Sequence, residues 1–213
     1  MMLLAHLGIT LGTAVLFTGG LVSVRHQIDR EDTPKASQDR AFYITSIIHR
    51  WLYSISSWVT SLGRHIDIRL LLLGAIVPDI IDKPVGQLFF SDAFSNGRIF
   101  SHTLLFPIIL AAIGCCVYRS RSKPWLMVIA GGSFMHLLLD QMWGAPETLF
   151  WPLVGTDFPK EDITGWITNT LDGLIKNPAV FIPELIGAIV LVWFATILLH
   201  ERKALAFIIR GQV

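Results

Sequence analysis

Charge and cysteine are both scarce in this sequence. Only 15% of its 213 residues are charged and 53% are hydrophobic, whereas a soluble domain is about one-quarter charged. The net charge is +1 and no dense basic run occurs, which argues against nucleic acid as a partner. The two cysteines, Cys115 and Cys116, are adjacent in an apolar run. Neighbouring positions on a helix face different directions, so the pair indicates neither a disulfide nor a zinc site.

Long apolar stretches are what the sequence has instead. A bilayer-spanning helix needs about 20 such residues, and it must be helical because lipid offers the backbone no hydrogen-bond partners. We therefore predict an all-α fold, a polytopic integral membrane helical bundle in which residues 1–213 form a single membrane domain. The five predicted spans are residues 2–24, 66–82, 99–118, 124–143 and 179–199. The first lacks the basic start of a signal peptide, so we expect it to stay in place.

Two further segments have the apolar spacing of amphipathic helices. Residues 42–62 carry isoleucine, leucine and tryptophan at helical intervals opposite a polar face, which predicts a helix lying in the membrane interface. Residues 144–178 form a long predicted loop. Within it, the spacing from Ile163 to Leu174 predicts a short amphipathic helix with Asp162 as its N-cap.

The distribution of lysine and arginine predicts the orientation. With the amino terminus outside, five alternating spans place most of the 17 basic residues on the cytoplasmic side. Only four remain on the outer side: Lys83, Arg98, Lys160 and Lys176. The positive-inside rule therefore favours a multi-pass protein of the cell (inner) membrane with its amino terminus out and its carboxyl terminus in.

Ionisable residues gather at the outer ends of these spans. Such residues are costly within a membrane and usually functional. His136 and Asp140 are four residues apart, which makes them neighbours on one helix face able to hold a divalent metal. The predicted metal ligands are His6, Asp79, His102, His136 and Asp140. Asp82 and Glu184 are the predicted catalytic residues, each a candidate general base, and Asp82 is alternatively a partner that orients a ligand.

Each of these residues also has a purely structural interpretation. His136 with Asp140 could form a helix–helix hydrogen bond, and His102 could cap the third span. Asp79 and Asp82 lie beside prolines, where turns and helix ends favour aspartate. His6 could lie among lipid headgroups. Glu184 follows Pro183, as a carboxylate in the first turn of a helix would.

Three motifs together resemble a known family. They are Gly74-Ala-Ile-Val-Pro-Asp-Ile-Ile-Asp-Lys83, Ser101-His-Thr-Leu104 after Gly97-Arg98, and His136-Leu-Leu-Leu-Asp140 before Trp151-Pro152. In this order they resemble the YdjM-like family of membrane-bound metal-dependent hydrolases, which is distantly similar to zinc-dependent phospholipase C. The resemblance implies that Asp79, His102, His136 and Asp140 bind one metal and that His6 helps to bind a second. The amino-terminal tryptophan and the further histidines of that phospholipase have no counterpart here, so one or two zinc ions are expected.

The sequence and this resemblance predict a metal-dependent hydrolase in the membrane. We expect zinc at the extracytoplasmic face and a phosphoester or other ester of an amphiphilic, lipid-like substrate, with the lipid bilayer as the protein's surroundings. The alternative is a non-catalytic metal-binding membrane protein, either a metal or proton transporter or a sensor. A serine protease using Ser101 or Ser133 is a third reading, although no nucleophile motif surrounds either serine.

Overall fold

The structure, a computed structural model, describes residues 3–16, 66–160, 166–200 and 202–211. Within these ranges every regular element is helical, as the sequence predicts. The predicted interfacial helix at 42–62 and the Asp162 N-cap lie outside the described residues. The chain divides into two compact units, residues 1–11 with 67–213, and residues 12–66. The candidate site and the helices that support it belong to the first unit.

Nine α-helices are described, and we number them in chain order within the described ranges. They are α1 (Leu3–Leu16), α2 (Ile68–Gly74), α3 (Val77–Lys83), α4 (Leu105–Arg121), α5 (Trp125–Leu139), α6 (Pro146–Leu149), α7 (Trp166–Lys176), α8 (Pro178–His200) and α9 (Ala204–Arg210). A π-helical segment, Pro84–Phe89, continues from α3, and a 3-10 turn, Met142–Gly144, precedes α6. Helix α7 falls where the sequence predicts a short helix in the long loop.

One described helix is long and apolar enough to cross a membrane. It is α8, with 23 residues. Helices α1 and α5 are apolar but shorter. Residues 66–82, predicted as one span, instead form α2 and α3, and the third predicted span is helical only from Leu105. The five-span arrangement therefore stays a prediction.

The interruption between α2 and α3 is encoded by Pro78. Proline lacks an N–H; it is tolerated in the first turn of a helix, whereas in the interior it kinks or breaks the helix. It occupies that first turn in α3, while Ala75 ends α2 as its C-cap. The break leaves carbonyl groups near Ala75 without the partners that a continuous helix would supply. It also places Asp79 and Asp82 on a separate short helix.

Close packing through small residues holds the helices together. A Cβ atom built on Gly8 of α1 would lie 2.1 Å from the carbonyl oxygen of Gly187 on α8. A Cβ on Gly132 of α5 would lie 2.2 Å from the carbonyl oxygen of Leu71 on α2. The Ser133 hydroxyl donates to the Gly74 carbonyl across the same contact, at 3.1 Å. Such backbone approach is typical of helix pairs in membranes, where small residues let van der Waals packing replace the hydrophobic effect.

Candidate metal centre

All five residues predicted as ligands lie in one cluster. His6, His136 and Asp140 form one group of potential metal donors, and Asp79, His102 and His136 form a second. Within each group the donor atoms lie within 4.8 Å of one another. The two groups share His136, so the cluster is continuous. Four separate parts of the chain supply it: α1, α3, the segment before α4, and the end of α5.

His136 is held by the break between α2 and α3. It lies on α5, and its Nδ1 is 2.7 Å from the carbonyl oxygen of Ala75. A carbonyl only accepts hydrogen bonds, so Nδ1 carries the proton and donates it. In a neutral imidazole the other nitrogen, Nε2, then carries no proton and has a free lone pair. His136 thus presents a ligand atom rather than a proton to the centre of the cluster.

His102 is held by Asp82 in a comparable way. Its Nδ1 lies 2.8 Å from Asp82 Oδ2, and both side chains are completely buried. The carboxylate of Asp82 also accepts backbone N–H bonds from Ile99, Ser101 and His102, at 2.8–3.1 Å. This wraps the segment before α4 around one buried charge. It does not make His102 a helix cap, because α4 begins only after Leu104.

The two histidines direct the same kind of atom at each other. Nε2 of His102 and Nε2 of His136 are 3.1 Å apart. Since both Nδ1 atoms are donors, two neutral imidazoles would place two lone pairs face to face, which is repulsive. The arrangement requires a shared proton or a cation that both lone pairs can bind. Two nitrogens bound to a tetrahedral zinc at about 2.0–2.1 Å would be about 3.3–3.4 Å apart, close to the distance seen.

Two carboxylates complete the cluster. Asp79 Oδ1 lies 3.6 Å from His102 Nε2 and 3.9 Å from His136 Nε2. Asp140, the C-cap of α5, places Oδ1 3.3 Å from His6 Nε2 and Oδ2 3.9 Å from His102 Nε2. Neutral imidazoles and carboxylates are the ligand types that zinc binds without redox chemistry. The residues present therefore fit a divalent cation.

His6 is positioned by ring stacking on His136 and by hydrogen bonds that fix its helix to α8. Its imidazole stacks on that of His136 with 4.2 Å between the ring centroids. Two residues earlier, the first turn of α1 is fixed to α8, because Glu184 accepts the N–H groups of Leu4 at 3.1 Å and Ala5 at 3.2 Å. A buried carboxylate thus satisfies backbone donors that a helix start leaves open.

The contacts of Asp82 and Glu184 favour positioning roles. Both are buried, and their oxygens accept hydrogen bonds from the protein itself. Helix α8 begins at Pro178, so Glu184 is not in its first turn as the structural alternative for this residue assumes. Asp82 orients His102, whereas Glu184 holds the helix that carries His6. The general-base role stays a prediction for either residue.

Sequence reasoning missed two cations beside the cluster. Lys83 Nζ donates to Asp79 Oδ2 at 2.7 Å, and Arg98 Nε donates to Asp140 Oδ2 at 2.9 Å. Their side chains are 44% and 42% exposed. The spacing of Lys83 four residues after Asp79 on one helix was a usable signal. No spacing rule connects Arg98 to Asp140, because they belong to different elements.

The structure does not support the alternative of a serine protease that uses Ser101 or Ser133. Ser133 is fully buried and its hydroxyl is bonded to the Gly74 carbonyl. Ser101 is also buried, and its backbone N–H is bonded to Asp82. Neither hydroxyl is presented to solvent as an attacking nucleophile would need to be.

Comparison with protein families places the chain. The model of the YdjM inner membrane protein family matches residues 42–209, most of the chain, and the protein belongs to that family. No curated protein and no solved structure matches it. The distant similarity to zinc-dependent phospholipase C therefore stays a prediction. Membership in an inner membrane family agrees with the predicted localisation, and the described residues contain the single candidate span α8.

Proposed function

We propose that this protein is a membrane-embedded, metal-dependent hydrolase whose His/Asp cluster binds one or two divalent cations, with zinc as the preferred ion. The observation that carries the proposal is the 3.1 Å approach of the Nε2 atoms of His102 and His136. Because Nδ1 is the donor in each ring, each neutral imidazole carries a lone pair on Nε2. A divalent cation between the two Nε2 atoms would bind both lone pairs and remove their repulsion.

The support around each histidine agrees with a metal site. Ligating histidines usually donate their second ring N–H to a carboxylate or a backbone carbonyl, which fixes the tautomer and the ring orientation. Here His102 donates to Asp82 and His136 donates to Ala75. Histidines that only pack in a core need neither a fixed tautomer nor Nε2 atoms that point at each other, and His102 and His136 have both. The ligands would be His102, His136 and Asp79 for one ion, with His6 and Asp140 for a second.

The chemistry proposed is hydrolysis of a phosphoester or another ester. A divalent cation held here would lower the pKa of water towards neutrality and polarise a phosphoryl or acyl oxygen. The chain's own residues orient the site: Asp82 and Ala75 fix the two imidazoles, and Glu184 fixes the helix that carries His6. An amphiphilic substrate is proposed because the family is an inner membrane one and because the site is predicted to lie at the outer membrane face. That orientation, amino terminus out, is part of the proposal.

The transporter or sensor alternative is less well supported by the site. Lys83 and Arg98 lie beside the cluster, bonded to Asp79 and Asp140. Positive charge there favours the approach of an anionic ester more than the repeated passage of a cation. The hydrolase is therefore the function that the geometry supports best.

Metal analysis of the purified protein tests the proposal. The full chain in detergent, loaded with zinc and then desalted, should retain zinc in elemental analysis. A His136→Ala, Asp140→Ala double variant should lose it, whereas His200→Ala, at the far end of α8, should not. Zinc-dependent hydrolysis of p-nitrophenyl phosphate or p-nitrophenyl esters tests the catalytic part. Equal zinc in the wild type and the double variant would overturn the metal site, and retained zinc without hydrolysis of any ester would overturn the enzyme.

A further inference from the structure

Two cationic side chains are bonded to carboxylates of the cluster. Asp79 directs Oδ1 towards His102 and His136, and its Oδ2 accepts from Lys83. Oδ2 of Asp140 accepts from Arg98. Both carboxylates approach a common atom, His102 Nε2, at 3.6 Å and 3.9 Å. Lys83 and Arg98 therefore flank the same centre.

The segment that carries Arg98 is fixed in place. The Arg98 N–H donates to Asn96 Oδ1 at 2.7 Å, and the buried Asn96 side chain donates in turn to the Pro159 carbonyl at 2.6 Å. The next residue, Ile99, donates its N–H to Asp82. The neighbouring Gly97 lies against Lys83, since a Cβ built on it would be 3.5 Å from Lys83 Cγ. Arg98 and Lys83 are thus held on adjoining backbone beside the cluster.

The charge balance of this centre depends on the cation. Asp79 is bonded to Lys83 and Asp140 to Arg98, whereas Asp82 is bonded to His102. A divalent cation would add two positive charges to this group. The side chains of Lys83 and Arg98 are partly exposed, so an anion that approaches from solvent would meet positive charge beside the cation.

We propose that Arg98 and Lys83 bind the phosphoryl group of an anionic substrate at the mouth of the metal-loaded cluster. This inference rests on the proposed function, since it concerns the substrate of the same site. Arg98 bonds Asp140 through Nε, and a guanidinium has five N–H donors in a planar fork that suits phosphate. Lysine adds a second positive charge. The phosphoryl group is that of a lipid headgroup or of a soluble phosphoester, and the two sources share this recognition.

Calorimetric titration of the full chain tests the inference. Zinc-loaded and metal-free protein in detergent is titrated with inorganic phosphate, and in a separate arm with short-chain phosphatidic acid below its micelle concentration. At least one probe should bind the zinc-loaded protein and bind the metal-free protein more weakly. Binding of phosphate alone indicates a soluble substrate, and binding of phosphatidic acid alone indicates a lipid; either supports the proposal.

Variants assign the binding to the two side chains. Arg98→Gln and Lys83→Gln should each weaken binding about tenfold or more, the size expected for a charge-assisted hydrogen bond. Arg98→Lys should restore part of the loss by keeping the charge. Lys176→Gln is the matched control, because Lys176 also bonds an aspartate four residues away at 2.7 Å but lies on exposed α7. Zinc content should remain unchanged in Lys176→Gln, and phosphate binding by the other variants is compared at equal zinc loading.

The possible failures are distinguishable. If zinc binds but neither probe does, or if Arg98→Gln and Lys83→Gln bind as the wild type does, the inference is wrong while the metal centre stands. If the wild type retains no zinc, the proposed function itself fails and the inference fails with it. Equal binding of phosphate to zinc-loaded and metal-free protein would overturn the role of the metal in anion binding.

Discussion

The carboxylate of Asp82 bonds both the imidazole and the backbone of His102. Its Oδ2 lies 2.8 Å from His102 Nδ1 and 3.1 Å from the backbone nitrogen of the same residue. The N–H groups of Ile99 and Ser101 point at the same carboxylate. One buried charge thus sets the path of the segment before α4, the rotation of the imidazole and its tautomer. A metal bound by His102 would therefore be coupled to local folding through this contact.

Replacing Asp82 with asparagine should weaken metal binding. The amide keeps the shape but directs an NH2 group at backbone donors and withdraws the charge that makes His102 a better ligand. We expect zinc affinity, measured by competition with a chromophoric chelator, to fall about 10–100-fold. Asp172→Asn, in an exposed ion pair on α7, is the control and should bind zinc as the wild type does. An unchanged affinity in Asp82→Asn would show that Asp82 does not support the ligand.

Replacing Glu184 with glutamine separates a positioning role from a catalytic one. The amide can accept from only one side, so one of the N–H groups of Leu4 and Ala5 loses its partner. Losing a bond to a charged group costs about 1.5–3 kcal/mol. We expect a lower unfolding temperature, followed by tryptophan fluorescence, and weaker zinc binding because His6 is displaced.

The control for this change is Glu147→Gln, which alters an exposed carboxylate in the first turn of α6. It should leave the unfolding temperature and the zinc content unchanged. If Glu184→Gln instead abolished hydrolysis with unchanged stability and zinc content, Glu184 would be the general base predicted from the sequence.

The contact between α1 and α8 should not tolerate a methyl group. Gly8→Ala places a Cβ 2.1 Å from the Gly187 carbonyl oxygen. That oxygen is a backbone atom and cannot rotate away, so the helices must separate. Overpacking of this kind costs about 1–3 kcal/mol. We expect a lower unfolding temperature in detergent. Gly173→Ala on α7 meets nothing within 4 Å and should raise it slightly through helix propensity. Equal stability of the two variants would contradict the close packing of α1 on α8.

The sequence predicted the members of the cluster better than the shape of the helices that carry it. Histidine and aspartate stand out in apolar stretches because burying them is costly. For His136 and Asp140, the spacing alone placed them together. The break at Ala75 was missed because it lies within a continuous apolar run, residues 70–77, although Pro78 carries the signal for it.

The supporting contacts were beyond sequence reasoning for a different reason. Glu184 reaches Leu4, and Arg98 reaches Asp140, across separations that no periodicity encodes. Glu184 reaches Leu4 because α1 packs closely on α8 at Gly8 and Gly187. Arg98 reaches Asp140 because the segment before α4 is bonded to Asp82 beside the cluster. Local patterns therefore identify ligands, whereas tertiary packing identifies what holds them.

The proposed orientation predicts which side of the membrane the site faces. Leu153 is 89% exposed and follows α6 in the long predicted outer loop, whereas Arg202 lies between α8 and α9 on the predicted cytoplasmic side. In a background where both native cysteines are replaced by serine, Leu153→Cys should react with a membrane-impermeant maleimide in intact cells. Arg202→Cys should react only after permeabilisation, which makes it the internal control.

The physical reason is that translocating lysine and arginine is unfavourable, so the basic ends of α4 and α9 should remain inside. The opposite labelling pattern would place the carboxyl terminus outside and move the cluster to the cytoplasmic face. The metal centre would survive that result, because its geometry does not depend on orientation. The proposal of an outer-leaflet substrate would be overturned, since a site on the cytoplasmic face meets a different set of amphiphilic esters.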